Sequence, residues 1–294
     1  MTEDRVDEAR ADTARPGDLA ELLRAGPGFV LADVRPRSTP GFTGGKADGK
    51  AALAAGADRL AALQERLFAE GRSGGRRSVL LVVQGMDTSG KGGIVRHVVG
   101  AVDPQGVRLH AFGAPTDEDL AHDFLWRVRR ELPGPGLIGV FDRSHYEDVV
   151  VARVQGLVPR ATWQRRYPTI NRFEHSLVDG GTTLVKVLLK ISKAEQRDRL
   201  AARLARPDKY WKYDPGDIDE RLRWDQYQEA YQGVLDRCSP PHAPWFVVPA
   251  DRKWYARWAV QQLLLDALTR LDPQWPAPSF DVAVERARLA AAPD

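Results

Sequence analysis

Two stretches of this chain carry residue types at spacings suited to phosphate chemistry. Gly85-Met86-Asp87-Thr88-Ser89-Gly90-Lys91-Gly92-Gly93 follows directly on the apolar run Ser78 to Val83. A buried strand ending in glycines lets backbone N–H groups converge on phosphate oxygens, and the following helix adds its positive end. Lys91 supplies a mobile cation, and Gly85, Ser89, Gly90, Gly92 and Gly93 are the phosphate-binding positions of the loop. Ile94-Val95 and Val98-Val99 continue at helical spacing, so the strand, loop and helix that the motif needs are all present. The group bound is a polyanionic phosphate.

An ordinary P-loop places Ser or Thr after the lysine to hold Mg²⁺, whereas Gly92 offers no side-chain oxygen there. Asp87 lies inside the loop, where a lone carboxylate facing phosphates is repelled unless a divalent cation lies between them. Asp87 therefore reads as a metal-positioning carboxylate; a solvated turn acid is the alternative. The second stretch, Leu137-Ile138-Gly139-Val140-Phe141-Asp142-Arg143, is an apolar strand ending in an acid and a base, which is Walker-B-like. Asp142 can reach a metal bridging phosphates, and Arg143 can neutralise charge on the group in flight. In Ser144-His145-Tyr146-Glu147-Asp148 the acids either stand behind this pair or pair with Arg153, and His145 reads as a hydrogen-bonded structural residue. A third cluster, Arg203, Arg206, Lys209, Tyr210, Trp211, Lys212 and Tyr213, has the composition of a lid that closes over phosphates, or else of a solvated charged loop.

The elements that must position these groups follow from periodicity. Leu53, Ala57, Leu60, Leu63 and Leu67 recur at three- and four-residue steps, which predicts one amphipathic helix from Ala47 to Glu70. Strands are expected at Ser78–Val83, Val107–Phe112, Leu137–Phe141, Thr182–Ile191 and Trp245–Val248. Helices are expected from Thr116, with capping-box spacing, to about Arg130, from Ala161 to Val178, and after Ser192 with Glu195. Two more run from Asp217, with Glu220, to about Leu235 and from Asp251 to Arg270. Five apolar strands alternating with helices predict an α/β fold whose mostly parallel sheet is covered on both faces. Trp224, Tyr227, Tyr231, Trp254 and Trp258 read as core. Four prolines before Gly45 mark residues 1–45 as a partly ordered or flexible tail; the domain is expected over 46–276, with 277–294 a second tail.

Composition narrows the classes. The chain has 294 residues, 43% hydrophobic and 28% charged, enough to bury a full core. No segment approaches the ~20 uncharged apolar residues that span a bilayer, so no membrane partner and a cytoplasmic location are expected. Cys238 is the single cysteine, which excludes internal disulfides and cysteine-based zinc cages. The formal net charge of +3 is small, so a local basic cluster for an anionic small substrate is expected rather than nucleic acid.

The segments GMDTSGKGG, APTDEDLAHDFLWR, FDRSHYEDVVVARV, RPDKYWKYDPGDIDERLRWDQYQEAY and PWFVVPADRKWY together resemble the polyphosphate kinase 2 family, over roughly Gly41 to Pro276. The resemblance implies a P-loop kinase-like three-layer α/β/α fold, related to thymidylate kinase, with a five-stranded sheet and a helical lid at about 203–235. It further implies Mg²⁺-dependent phosphoryl transfer between inorganic polyphosphate and an adenine or guanine nucleotide, forming ADP/ATP or GDP/GTP, and assembly as a dimer or tetramer. By matching motif, Asp87 and Lys91 take the family's Walker A roles and Asp142 and Arg143 its Walker B roles, with Asp87 and Asp142 toward the metal. Arg153 corresponds to a basic position after that motif, and Lys209 and Lys212 to the lid's lysines. A basic channel for polyphosphate could draw on Arg96, Arg165, Arg166, Lys190 and Lys193. Met86 and the APTDEDL segment are similar to members that handle both mono- and diphosphates, which leaves AMP versus ADP open.

An ATP-dependent nucleoside or nucleotide kinase of the thymidylate kinase-like class is the nearest alternative. A nucleotide-dependent switch is disfavoured, because no NKxD guanine motif occurs. Lys91→Ala is expected to remove nearly all phosphoryl transfer while leaving the circular dichroism spectrum unchanged, since the lysine acts on phosphate charge. A wild-type rate in that variant rejects the loop assignment.

Overall fold

The computed structural model describes residues 18–293. In chain order, α1 (Asp18–Leu23), α2 (Lys46–Ala55) and α3 (Ala57–Arg72) precede β1 (Ser78–Gln84) and α4 (Lys91–His97). β2 (Val107–Ala111), α5 (Asp117–Leu120) and α6 (Trp126–Arg130) lead to β3 (Ile138–Asp142), α7 (Glu147–Val154) and α8 (Arg160–Asp179). β4 (Thr182–Lys190) is followed by α9 (Lys193–Leu204), a 3-10 segment Pro207–Lys212, α10 (Gly216–Leu222) and α11 (Trp224–Arg237). β5 (Trp245–Pro249), α12 (Lys253–Leu271) and α13 (Val282–Ala290) complete it.

All five strands are parallel, in the order β2-β3-β1-β4-β5. Every residue of β1 is buried, which is why its sequence is an unbroken apolar run rather than an alternating one. β2 lies at the edge and carries Arg108 and His110, polar side chains that blunt an open strand. α12 packs on β4 and β5 with α1, α2, α3 and α4 around it, and α8 packs on β4 with α7 and α11, giving helix, sheet and helix layers. The register sets Val83 beside Asp142 and Gln84 beside Leu188. The loops after β1, β3 and β4 therefore leave the sheet at one edge.

Several helices are divided where periodicity predicts continuity. The helix expected over 47–70 breaks at Gly56, where an added Cβ would meet Gln261 Oε1 at 2.4 Å. Gln261 Nε2 donates to Leu53 O, a carbonyl near that break, at 2.9 Å. Between α5 and α6, Asp123 Oδ1 accepts Leu125 N–H and turns the chain. Asp217 does not cap its helix: α10 begins at Gly216, whose N–H is taken by Asp214, and Asp217 instead pairs with Arg203. α11 then restarts at Trp224, and its Tyr227, Ala230, Tyr231 and Val234 sit in the core. Trp224, Trp254 and Trp258 are buried as well.

The expected N-terminal tail packs on the domain from Asp18 onward; its first seventeen residues lie outside the described residues. Leu19, Ala20 and Leu23 are buried, Ala25 N–H donates to Trp245 O at 2.8 Å, and Phe42 meets Trp254 and Trp258 edge-on at 5.3 and 4.7 Å. At the other end, α13 buries none of its residues.

A fully buried ion pair lies in the core. Lys186 on β4 donates to Glu174 Oε2 on α8 at 2.6 Å, to Cys238 O at 2.7 Å and to Tyr146 Oη at 3.0 Å. Tyr146 Oη donates in turn to Glu174 Oε1, and His145 Nε2 lies 3.1 Å from the same oxygen. This group ties the turn after β3 to α8, β4 and the end of α11. Burial alone would push the Glu174 carboxyl up, but the Lys186 ammonium and the His145 contact outweigh it and hold it below the usual range. A carboxyl with a depressed folded pKa contributes stability that is present above its unfolded value and lost as pH falls through the folded one. Lys186→Met, which strands Glu174, is expected to cost about 3–5 kcal/mol in urea unfolding at neutral pH, with less cost in acid; Glu174→Leu added to it should recover most of the loss.

Candidate active site

The loop after β1 is held in a shape that only part of its sequence tolerates. Gly85 has φ 149°, and a Cβ there would stand 2.7 Å from Ser89 Oγ and 2.8 Å from Leu189 O. Gly90 is left-handed at φ 117°, and Thr88 takes φ 64° although it is not glycine. Left-handed conformations at residues with a Cβ cluster at functional sites, because the surroundings must hold them. Lys91 is largely buried, and its Nζ donates to Gly85 O at 2.9 Å, folded back over the loop. The hydroxyls of Thr88 and Ser89 are buried without a hydrogen-bond partner among the described residues.

β3 delivers Asp142 beside this loop, and Arg143, also left-handed at φ 65°, turns the chain. Arg143 N–H donates to Val83 O at 3.0 Å, while its Nη2 donates to Asp87 Oδ1 at 2.7 Å and its Nη1 lies 4.0 Å from Glu147 Oε2. Partial burial works against the guanidinium charge, yet Glu147 and Asp87 more than restore it. Burial pushes the Glu147 carboxyl up despite Arg143 and Lys91 nearby.

A cavity of about 700 Å³ opens over the loop. Asp87, Ser89, Gly90, Lys91, Gly92, Gly93, Asp142, Arg143, Lys209 and Lys212 all line it, so most of the residues singled out in the sequence come together. Its wall carries ten Lys and Arg side chains against four Asp, a surplus that suits a polyanion. Arg96, Lys253 and Arg257 contribute to it from α4 and α12, on elements far apart in sequence. Burial, with the neighbouring Arg96 and Arg199, works against the Arg257 charge, and burial with Arg199 and Arg257 lowers Lys253. Asp217, facing the same space, is raised by burial and by Asp87, against the pull of Arg203.

A second cavity of about 240 Å³ adjoins the first, sharing Asp87 and Arg143 with it. Gly85 lines this one rather than the first. Met86, Val151, Leu157, Tyr227 and Tyr231 make its wall less polar, with Glu147, Asp148 and Glu220 at intervals. The Asp87 and Arg143 pair thus stands where a basic space meets a partly apolar one.

Some expected residues are elsewhere. Arg153 lines neither cavity: its guanidinium donates to Glu229 O, pairs with Glu229 Oε2 at 3.2 Å and covers the Trp163 ring, because α7 turns that face toward α11. Of the channel cations, Arg96 lines the large cavity, whereas Arg165, Arg166, Lys190 and Lys193 do not. Arg166 is bound to Asp148, and Lys190 to Gln228. Asp148 pairs with Arg127 and Arg166 rather than Arg153. His145 is fully buried against Glu174, a structural position. Arg199, Lys253 and Arg257 went unnoticed in the sequence, since no local motif marks a basic residue on a helix whose neighbours are set by the sheet order. Among the described residues no three His, Cys, Asp or Glu side chains converge to hold a metal by themselves.

The chain matches the sequence profile of polyphosphate kinase 2 over residues 44–276. It is 47% identical over 250 residues to an AMP/ADP-polyphosphate phosphotransferase of Meiothermus ruber, covering 85% of this chain and 92% of that protein. It is 41% identical to an ADP-polyphosphate phosphotransferase of Rhodopseudomonas palustris, over 74% of this chain and 78% of the relative. The crystal structure of polyphosphate kinase 2 from Arthrobacter aurescens superposes with a TM-score of 0.92 at 58% identity, covering 95% of this chain and all of that one (100%).

Proposed function

Because the chain belongs to the polyphosphate kinase 2 family, we propose that it transfers a phosphoryl group between inorganic polyphosphate and a nucleoside mono- or diphosphate, forming ADP and ATP or their guanine counterparts. The observation that carries this reading is the meeting of the two cavities at Asp87 and Arg143, beside Lys91. Polyphosphate has neither base nor sugar, and the large basic cavity asks for neither. The smaller cavity, with Tyr227, Tyr231 and Leu157 in its wall, suits the nucleoside end of an acceptor.

In the reaction an oxygen of the acceptor's terminal phosphate bonds to the terminal phosphorus of the polyphosphate as the bridging P–O bond breaks. The electron pair leaves with a chain one phosphate shorter. The acceptor phosphate, with a second pKa near ~6, is already largely ionised at neutral pH, so positioning and charge neutralisation matter more than proton removal. Arg143, drawn from Asp87, and Lys91, drawn from Gly85 O, are the cations nearest that transfer. Lys209, Lys212, Arg203 and Arg206 cover the donor chain and exclude water.

Mg²⁺ fits the donor set, since it is commonly held by one or two carboxylates together with phosphate oxygens and water. Asp87 and Asp142 would hold it, with the unpartnered Thr88 and Ser89 hydroxyls as the loop's remaining side-chain oxygens. Bound there, it would neutralise charge between donor and acceptor phosphates. The same reading takes the protein as a cytoplasmic homo-oligomer, a dimer or tetramer. Among the described residues no helix is long and apolar enough to cross a membrane.

Purified protein given Mg²⁺, polyphosphate and ADP or AMP is expected to form ATP or ADP; no product, alongside good turnover of ATP with a nucleoside monophosphate, replaces this reading with an ATP-dependent nucleotide kinase. Asp87→Asn should raise the Mg²⁺ concentration needed for half-maximal rate by about tenfold or more, with little change in melting temperature. An unaltered Mg²⁺ dependence removes Asp87 from the metal's surroundings.

A further inference from the structure

Arg199, on α9, is only 7% exposed although it carries a full charge beside the large cavity. A guanidinium has five N–H donors in a rigid fork, and here each has an acceptor on the protein. Nε donates to Glu195 Oε1 at 2.8 Å, Nη1 to Thr88 O at 2.8 Å and Ser89 O at 2.9 Å, and Nη2 to Ala250 O at 2.6 Å and Asp251 O at 3.1 Å. No donor is left for a phosphate.

The four carbonyls belong to two loops, one after β1 and one after β5, which the sheet does not itself join. Thr88 is the left-handed residue of the first loop, and its carbonyl is among those held. The peptide plane fixes N–H opposite C=O, so holding Ser89 O on the Arg199 guanidinium aims Gly90 N–H away from it. That N–H donates to no main-chain acceptor among the described residues, and Gly90 lines the cavity.

The same helix reaches the lid. One turn on, Arg203 donates to Lys212 O at 2.8 Å and pairs with Asp217 at 3.1 Å. One turn back, Gln196 Nε2 donates to Asp87 O at 3.3 Å while its Oε1 accepts from Arg221 of α10. A single face of α9 thus grips the phosphate loop and the lid together.

We propose that Arg199 is a positioning residue that sets the phosphate loop in its working shape and ties it to the lid helix, through main-chain carbonyls and without touching substrate. The catalytic part of this inference rests on the polyphosphate transfer reading; the loop-shaping part does not. Arg199→Lys keeps the charge but offers three donors without the fork. It is expected to lower kcat for ATP formation from polyphosphate and ADP by about 10²-fold and to speed amide hydrogen exchange in residues 86–92 by about tenfold or more, with exchange in β3 unchanged. Arg199→Gly, as a second variant, should recover rate when methylguanidinium is supplied, which Lys91→Ala should not. Normal kcat in a folded Arg199→Lys overturns the proposal, as does a lowered kcat with unaltered exchange, which would mark a charge acting on substrate. If wild type itself makes no ATP, the transfer reading fails, and exchange alone decides the loop-shaping role.

Discussion

The site depends on one constraint, the parallel pairing of β1 with β3 and β4. Parallel strands share a direction, so all of them release their chains at the same edge, and ligands of such sheets gather beyond the carboxyl ends. Val83 beside Asp142 brings the glycine loop and the Asp142-Arg143 turn together although a strand and several helices separate them in sequence. β4, on the other side of β1, releases α9 over the same loop. Antiparallel insertion of any of these strands would send one group to the far end of the sheet.

Within that frame the loop is a strained object. Thr88 and Arg143 both occupy left-handed backbone conformations that a Cβ disfavours. Their neighbours supply what keeps them there: the Arg199 fork on Thr88 O and Ser89 O, and the bond from Arg143 to Asp87. Below, the Glu174 and Lys186 pair anchors Tyr146, three residues past Arg143, against β4 and α11. Burying that pair is not a cheap way to gain stability, but once buried each charge makes the other obligatory. It fixes the direction in which the chain leaves β3.

Electrostatics separates the two cavities. In the larger one cations crowd together, and Lys253 and Arg257 are shifted down by burial and by their own kind. Such a surface gains when a polyanion arrives, because each phosphate relieves repulsion as well as making bonds. In the smaller one carboxylates outnumber the cations, and two tyrosine rings join the wall. Asp87 and Arg143 hold each other at the boundary, so each charge is compensated by the other there.

Local order in the sequence determined a good deal: the apolar run of β1, the glycines and lysine after it, the acid and base ending β3, and the Ser192 cap, whose hydroxyl accepts Glu195 N–H as its spacing predicts. These are readable because strand burial, glycine backbone freedom and capping act over a few residues. The breaks at Gly56 and Arg223 were not, since the first depends on Gln261 more than two hundred residues away and the second on the packing of α11 into the core. Nor could spacing place Arg153 away from the cavities, or Arg199, Lys253 and Arg257 around the larger one. A basic residue on a helix looks the same whichever way the helix faces; only the order of strands and the packing of layers decide which carbonyls or anions it meets.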